Sequence, residues 1–216
     1  MYDKANLVRI GWDEYAKRNF GHRDLSEEIE YLSKFEKLLG RNSHILDAGC
    51  GTGQPVISYF LNKNHNVTGV DISKNQLEIA RRIYPSTLFL EGNILEILKN
   101  NQKYDGIVCL HSIENIQREY HKNLLDLFHN SLNDGGKLLL SHPMGAKDQV
   151  VSFVENIQMY ISHFDPDTFL SIIGSTKFKP LYQASNEKRN YYILSKGVGV
   201  QEKQNTGFKH QIIFSR

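Results

Sequence analysis

The sequence predicts an α/β protein built on a mostly parallel sheet. Two observations carry that expectation. Strand-like and helix-like patterns alternate from residue 44 to residue 141, the order that makes parallel strands joined by crossover helices. Within that stretch, Ile45 and Leu46 end an apolar run, glycines alternate at 49, 51 and 53, and Val56, Ile57, Phe60 and Leu61 recur at helical spacing. Strand, glycine loop and helix in this order let a backbone come close to a bound ligand.

The elements follow in order. Residues 4–20 carry apolar side chains at Leu7, Ile10, Trp12, Tyr15 and Phe20. Leu25, Ile29, Leu32, Phe35 and Leu39 form a cleaner helical stripe; Ser26 with Glu28 and Glu30 suits its start, and Gly40 its stop. Asn66 to Asp71 reads as a second strand ending in a carboxylate, and Ser73 is placed to cap the helix after it. Residues 87–93 read as a third strand with its exit loop, and 104–111 as a fourth. Residues 117–132 read as a helix with Leu124, Leu125, Phe128 and Leu132 inward, and 134–141 as a turn into a fifth strand. Val150, Val151, Val154 and Ile157 predict an amphipathic helix over 147–157. Asp165-Pro166 predicts a sharp helix start, because proline at the first helical position loses no hydrogen bond. Three strand-like runs follow at 178–184, 190–195 and 208–215. The second or the third is the final strand, and the polar, Gly-rich 196–207 reads as a mobile loop.

Bulk properties bound the function. The 216 residues suit one domain spanning 1–216, with a formal charge of +2 and no run of Lys or Arg longer than two. That is no footprint for nucleic acid or an anionic membrane. No segment is long and apolar enough to span a bilayer, and the first residues lack a signal-peptide pattern. Cys50 and Cys109 suit a reduced, cytoplasmic chain without a disulfide, and no Cys/His spacing suggests a metal site.

The glycine loop names a ligand class by exclusion first. The dinucleotide fingerprint requires glycine at its first, third and sixth positions, and here the sixth is Gln54. The observed Asp47-x-Gly49-x-Gly51-x-Gly53 resembles motif I of the class I S-adenosylmethionine (SAM) dependent methyltransferases, in the small-molecule subset. Asp71, the Gly92-Asn93 turn, the fourth strand ending at His111 and the Asp134-Gly-Gly turn match the family's later motifs in order. The resemblance implies a three-layer α/β sandwich: a mostly parallel seven-stranded sheet closed by an antiparallel C-terminal hairpin. It also implies a cofactor site. The loop residues Asp47, Gly49, Cys50, Gly51 and Gly53 would pass under the methionine part. Asp71 would meet the ribose and Asn93 the adenine, with Ile72, Gly92 and Ile94 also cofactor-binding. Tyr15 and Leu110 would complete it.

The acceptor side is less defined. His111, His142 and His163 follow the fourth and fifth strands, and any of them could serve as a base near neutral pH. Trp12, Glu114 and Tyr160 are candidates for touching the acceptor, with residues 1–40 as a helical lid and 143–165 as an acceptor-side insertion. Each has a plainer reading: Trp12 and Tyr15 as packing, Glu114 as a helix start, His142 as a turn former beside Pro143, and Tyr160 and His163 as the approach to a helix cap. The absence of an Asn/Asp-Pro-Pro-aromatic motif after the fourth strand favours a small-molecule acceptor over nucleic acid, in a monomer or homodimer. Two other readings stay open: a non-catalytic SAM-binding or interaction protein, and a nicotinamide-dependent oxidoreductase on a similar sheet.

Overall fold

The computed structural model of the chain describes residues 3–18 and 26–197. Its elements are α1 (Lys4–Arg18), α2 (Ser26–Glu36), β1 (His44–Ala48), α3 (Val56–Leu61), β2 (Asn66–Asp71), α4 (Lys74–Ile83), β3 (Leu88–Glu91) and α5 (Ile94–Ile97). They continue with β4 (Tyr104–Cys109), α6 (His121–Ser131), β5 (Leu132–Pro143), β6 (Lys147–Ser152), β7 (Gln158–His163), α7 (Pro166–Gly174), β8 (Phe178–Ser185) and β9 (Arg189–Lys196).

Seven strands form one sheet in the order β3-β2-β1-β4-β5-β9-β8. β1 to β5 pair in parallel, and β9 pairs antiparallel with both β5 and β8. The strand order reverses between β1 and β4, and in an open sheet ligands collect outside the carboxyl ends at such a point.

Period-two alternation divides the core. Ile107, Cys109, Leu138 and Leu140 pack on one face with Leu124, Phe128 and Phe169 from α6 and α7. Val108, Leu139, Tyr191 and Ile193 pack on the other with Leu32, Phe35, Phe60 and Leu77 from α2, α3 and α4. Both faces are covered, which is why four of the five β1 residues are buried without alternation. The expected sandwich and its antiparallel closing hairpin are both present.

Two caps form as expected. Ser73 accepts a hydrogen bond from Gln76 N at 3.2 Å, and Asp165 accepts one from Thr168 N at 3.0 Å ahead of Pro166.

Other expectations need correction. Residues 147–157 are not a helix: β6 and β7 form a separate antiparallel hairpin, with Val150 opposite Tyr160 and Val151 opposite Met159. Its turn places Glu155 and Asn156 at φ 53° and 62°, a left-handed pair that an α-helix cannot hold. The β-branched valines fit the pleated surface at least as well. The helix expected over 117–132 starts only at His121 and gives up Leu132 to β5. The final described strand is β9, the second of the three C-terminal runs. The third run, and the loop from 198 to 207, lie outside the described residues.

α1 packs between the start of α4 and β7 and is tied down on both sides. Asp13 Oδ1 accepts from Ser73 Oγ at 2.7 Å and from Asn75 N at 3.1 Å, at the start of α4. On its other side Val8 packs with Met159 and Tyr160 of β7. A side chain at Gly11 would strike Met159 Cε at 2.8 Å and Gln158 O at 2.9 Å. Thus α1 and the β6–β7 hairpin form one roof beyond the carboxyl edge, joined by the Trp12, Tyr15 and Phe153 rings at 5.3–5.8 Å between centroids.

Candidate functional site

The loop after β1 turns three times through positive φ: Gly49 at 84°, Gly51 at 53° and Gly53 at 90°. The reasons for glycine differ. A Cβ at Gly49 would lie 1.8 Å from Ser112 Oγ, so packing alone forbids it. A Cβ at Gly51 would meet nothing nearer than Gln76 Oε1 at 3.7 Å. Space there is open, and the bare backbone forms part of a wall.

That wall belongs to a two-lobed cleft along the carboxyl edge. One lobe includes Asp47, Gly51, Leu110, His111, Tyr15 and Glu28. The other includes Ile72, Gly92, Asn93 and Ile94. Trp12, Gly49, Asp71, Ser112 and Asn115 line both, so the lobes meet under α1.

Two carboxyl groups dominate the electrostatics. Asp71 Oδ2 accepts from Gly51 N and Oδ1 from Ser73 N, each at 2.8 Å, so this side chain also shapes the glycine loop. Burial raises its pKa, against the opposing pull of the backbone N–H groups of Ser73, Gly51 and Ile72. Burial pushes Asp47 well above the ordinary carboxylate range, and the neighbouring Asp71 adds to it. Two desolvated carboxyls in one cleft favour a ligand that brings positive charge or several donors. Each carboxylate oxygen keeps a second lone-pair direction for such a donor. Asn93 caps α5, its Oδ1 accepting from Leu95 N at 3.0 Å, and still faces the second lobe.

Most of the expected cofactor residues are therefore brought together; Gly53 is not, since its neighbour is Tyr84. Cys50 lines the cleft by position, but burial pushes its thiol up, as it does that of Cys109, so neither is set up as a nucleophile.

The three histidines part company. His111 lines the cleft, and its Nε2 is 2.5 Å from Glu28 Oε1. His142 has no exposed surface; its ring stacks on Phe169 at 3.8 Å between centroids, and neither ring nitrogen has a hydrogen-bond partner. Burial, then His121 and His163, lower it to about 3. His163 is buried, with Nδ1–H donating to Gly145 O at 3.1 Å. Glu114 and Tyr160 also lie off the cleft. Glu114 is held by Arg189 at 2.5 Å, and Tyr160 bonds to Asp148 and Lys4. Burial pushes Glu114 up, but the charge and hydrogen bond of Arg189 together outweigh it and hold the carboxyl low.

Glu28 was missed as a site residue. It was legible only as a helix-start charge, yet it shares a face with Leu32 and Phe35 at i+4 and i+7, and it is buried while Ile29 is exposed. A carboxylate in phase with a buried stripe was the available signal. Among the described residues no cluster of His, Cys, Asp or Glu is placed to hold a metal ion, and no helix is long and apolar enough to cross a membrane.

A family model described as a methyltransferase domain matches residues 15–186. An O-methyltransferase of Pyrenophora dematioidea is 27% identical over 118 residues, covering 50% of this chain and 43% of that protein. A demethylmenaquinone methyltransferase of Chlamydia caviae is 28% identical over 170 residues, covering 76% and 66%. The chain spans about half the length of the first relatives it matches. The fold is similar to magnesium protoporphyrin IX methyltransferase from Synechocystis PCC 6803 with bound SAM, at a TM-score of 0.67 and 16% identity, covering 91% of this chain and 99% of that one.

Proposed function

This chain belongs to the SAM-dependent class I methyltransferases, and from its cleft we propose that it moves the methyl group of S-adenosyl-L-methionine to an O, N or S atom of a small-molecule acceptor by in-line displacement. The observation that carries this is the bare Gly51 backbone running beside two buried carboxyls in a two-lobed cleft at the sheet's switch point.

The residues present fit the cofactor. In this reading Ile72, Asn93 and Ile94 hold the adenine end, and Asp71 takes the ribose hydroxyls. Asp47, Gly49, Cys50, Gly51 and Leu110 surround the methionine end, where an ammonium would answer the desolvated carboxyls. When bound, SAM supplies a methyl group already activated by its sulfonium. The chain's own work is then positioning and the exclusion of water, which can supply on the order of 7–11 kcal/mol in favourable cases. Trp12 and Tyr15, carried by α1, roof the first lobe and would face both ligands. Of the three histidines, His111 lines this lobe, which supports it over the other two as a base. The near-neutral charge supports a small acceptor over nucleic acid. Two buried free thiols support a cytoplasmic location. Nothing in the cleft calls for a subunit beyond a monomer or homodimer.

Titration calorimetry with SAM, its demethylated product and NAD tests the reading. The expected dissociation constant for SAM is low micromolar, about −8 kcal/mol. Gly51→Val should abolish that binding while thermal unfolding stays cooperative. Binding of NAD with no heat from SAM would overturn the proposal.

A further inference from the structure

We propose that the first turn of α1 is a gate on the second lobe of the cleft, latched by Lys4, Tyr160, Asp148 and Arg118, and that its opening sets how fast the cofactor and its demethylated product exchange. This rests on the methyl-transfer reading above and adds a control of traffic through the same cleft.

The second lobe has walls from two separate parts of the chain. Ala5, Val8 and Trp12 of α1 supply one, and Ile116, Gln117 and Tyr120, between β4 and α6, supply another. A polar chain of side chains joins the two. Lys4, next to Ala5, donates from Nζ to Tyr160 Oη at 2.9 Å and lies 4.6 Å from the centre of that ring. The Tyr160 hydroxyl donates in turn to Asp148 Oδ1. Asp148 also faces both cations: Oδ1 is 3.9 Å from Lys4 Nζ, and Oδ2 is 3.5 Å from the Arg118 guanidinium. Arg118 sits between Gln117 and Tyr120 and is itself pinned. Its N donates to Ser162 Oγ at 2.9 Å, and its guanidinium lies 5.5 Å from the Phe164 ring centre. The wall free to move is therefore α1.

The two ends of α1 are held differently. Asp13 takes hydrogen bonds from Ser73 Oγ and Asn75 N, and its own carbonyl accepts from Asn75 Nδ2 at 3.1 Å, so this end is fixed to the start of α4. None of residues 4–7 is buried, and Val8 is the first residue of the helix that is. A terminal turn with so little buried apolar surface opens at low cost. Asp3 Oδ1 accepts from Asn6 N at 3.2 Å, so the turn keeps its cap as it lifts, with Asp13 as the pivot.

The strength of the latch suits the task. The side chains of Lys4, Asp148 and Arg118 are 37%, 31% and 38% exposed, the range in which ion pairs bias an equilibrium without locking it. Their attraction is screened by salt. Tyr160 is 2% exposed and links the two charges, which gives this side chain a place in the molecule although it does not line the cleft.

Trp12 is the one tryptophan of the chain and lines both lobes, so its fluorescence can follow binding. Stopped-flow mixing with the demethylated product of SAM gives the association rate from the concentration slope and the dissociation rate from the intercept. Asp148→Asn keeps an acceptor for Tyr160 Oη, and Lys4→Met keeps the stem over the ring. In each, both rate constants should rise about two- to fivefold, the scale of an exposed ion pair, while Kd moves less than about twofold. A gate passes ligand in both directions, whereas a residue that merely holds the ligand would change dissociation alone. This product carries no net charge, so raising salt from about 0.05 to about 0.5 M should speed its dissociation from wild type through the latch, and much less from Asp148→Asn. Lys122→Met, which breaks an exposed pair with Asp126 on α6, should leave every rate as in wild type.

Wild-type rates in both latch variants, faster dissociation with unchanged association, or an undiminished salt response in Asp148→Asn would overturn the gate. If Asp148→Asn does not unfold cooperatively, the two rate constants of Lys4→Met decide. Failure of wild type to bind either SAM or its product would instead strike the cofactor reading beneath the proposal.

Discussion

Two polar neighbourhoods sit at the same edge of the sheet and use their histidines in opposite ways. At the cleft, His111 follows β4 where the chain leaves the sheet, and its ring finds Glu28. Under the other face, His142 lies within β5 at the same parity as Leu138 and Leu140, so it points into the α6–α7 core. There it stacks on Phe169, with His121 and His163 at 6.3 and 5.7 Å between ring centroids. His121 spends its Nε2–H on Ile116 O at 2.9 Å, and beside this group the buried Glu114–Arg189 pair closes the site. The contrast teaches that what a histidine's nitrogens face decides its task. Proximity to the ligand edge does not, because the side chains of one strand alternate between two unlike layers.

The largest effect should come from the buried side. Arg189→Ala leaves the Glu114 carboxylate buried without its counter-charge, which should cost about 3–5 kcal/mol of stability in urea unfolding at pH 7. A loss below about 1 kcal/mol would mean this neighbourhood is not a structural one.

The cleft side should respond in binding. Asp71→Ala should weaken SAM by about 1.5–3 kcal/mol, the usual worth of hydrogen bonds to a charged group, with the protein still folded. Normal SAM affinity in that variant would remove Asp71 from the ribose and leave it only as the brace of the Gly51 turn.

The third effect is a slope with pH. His142 is held down to about 3 in the folded chain, whereas an unfolded histidine titrates near 6.5. Between those values the unfolded chain binds a proton that the folded chain refuses, so stability is intact above about pH 6.5 and falls as pH drops. Its contribution approaches about 1.4 kcal/mol per pH unit in that window. His121, also lowered by burial, adds in the same direction. His142→Phe should keep the stack on Phe169 and flatten the dependence, as read from unfolding free energies at pH 7.5 and 5. An identical slope in both proteins would show that His142 titrates normally.

The sequence by itself determined the sheet's parallel half and the cofactor loop. These follow from local rules: apolar runs with period two, glycines where φ turns positive, Ser73 and Asp165 where helix N–H groups need acceptors, and a carboxylate at the end of β2. The β6–β7 hairpin was not legible, because Val150, Val151 and Val154 satisfy a helical spacing as readily as a strand. What chose between them was the left-handed turn at Glu155–Asn156 and the surface of α1 waiting to receive Met159 and Tyr160. Only the tertiary structure decided the acceptor side. Glu28 and His111 meet through the packing of α2 against the sheet, and His142 and His163 are withdrawn from the cleft by α7 and the hairpin base. Those are contacts between residues far apart in sequence. No local pattern encodes them, because the free energy that selects them comes from burying layers against one another.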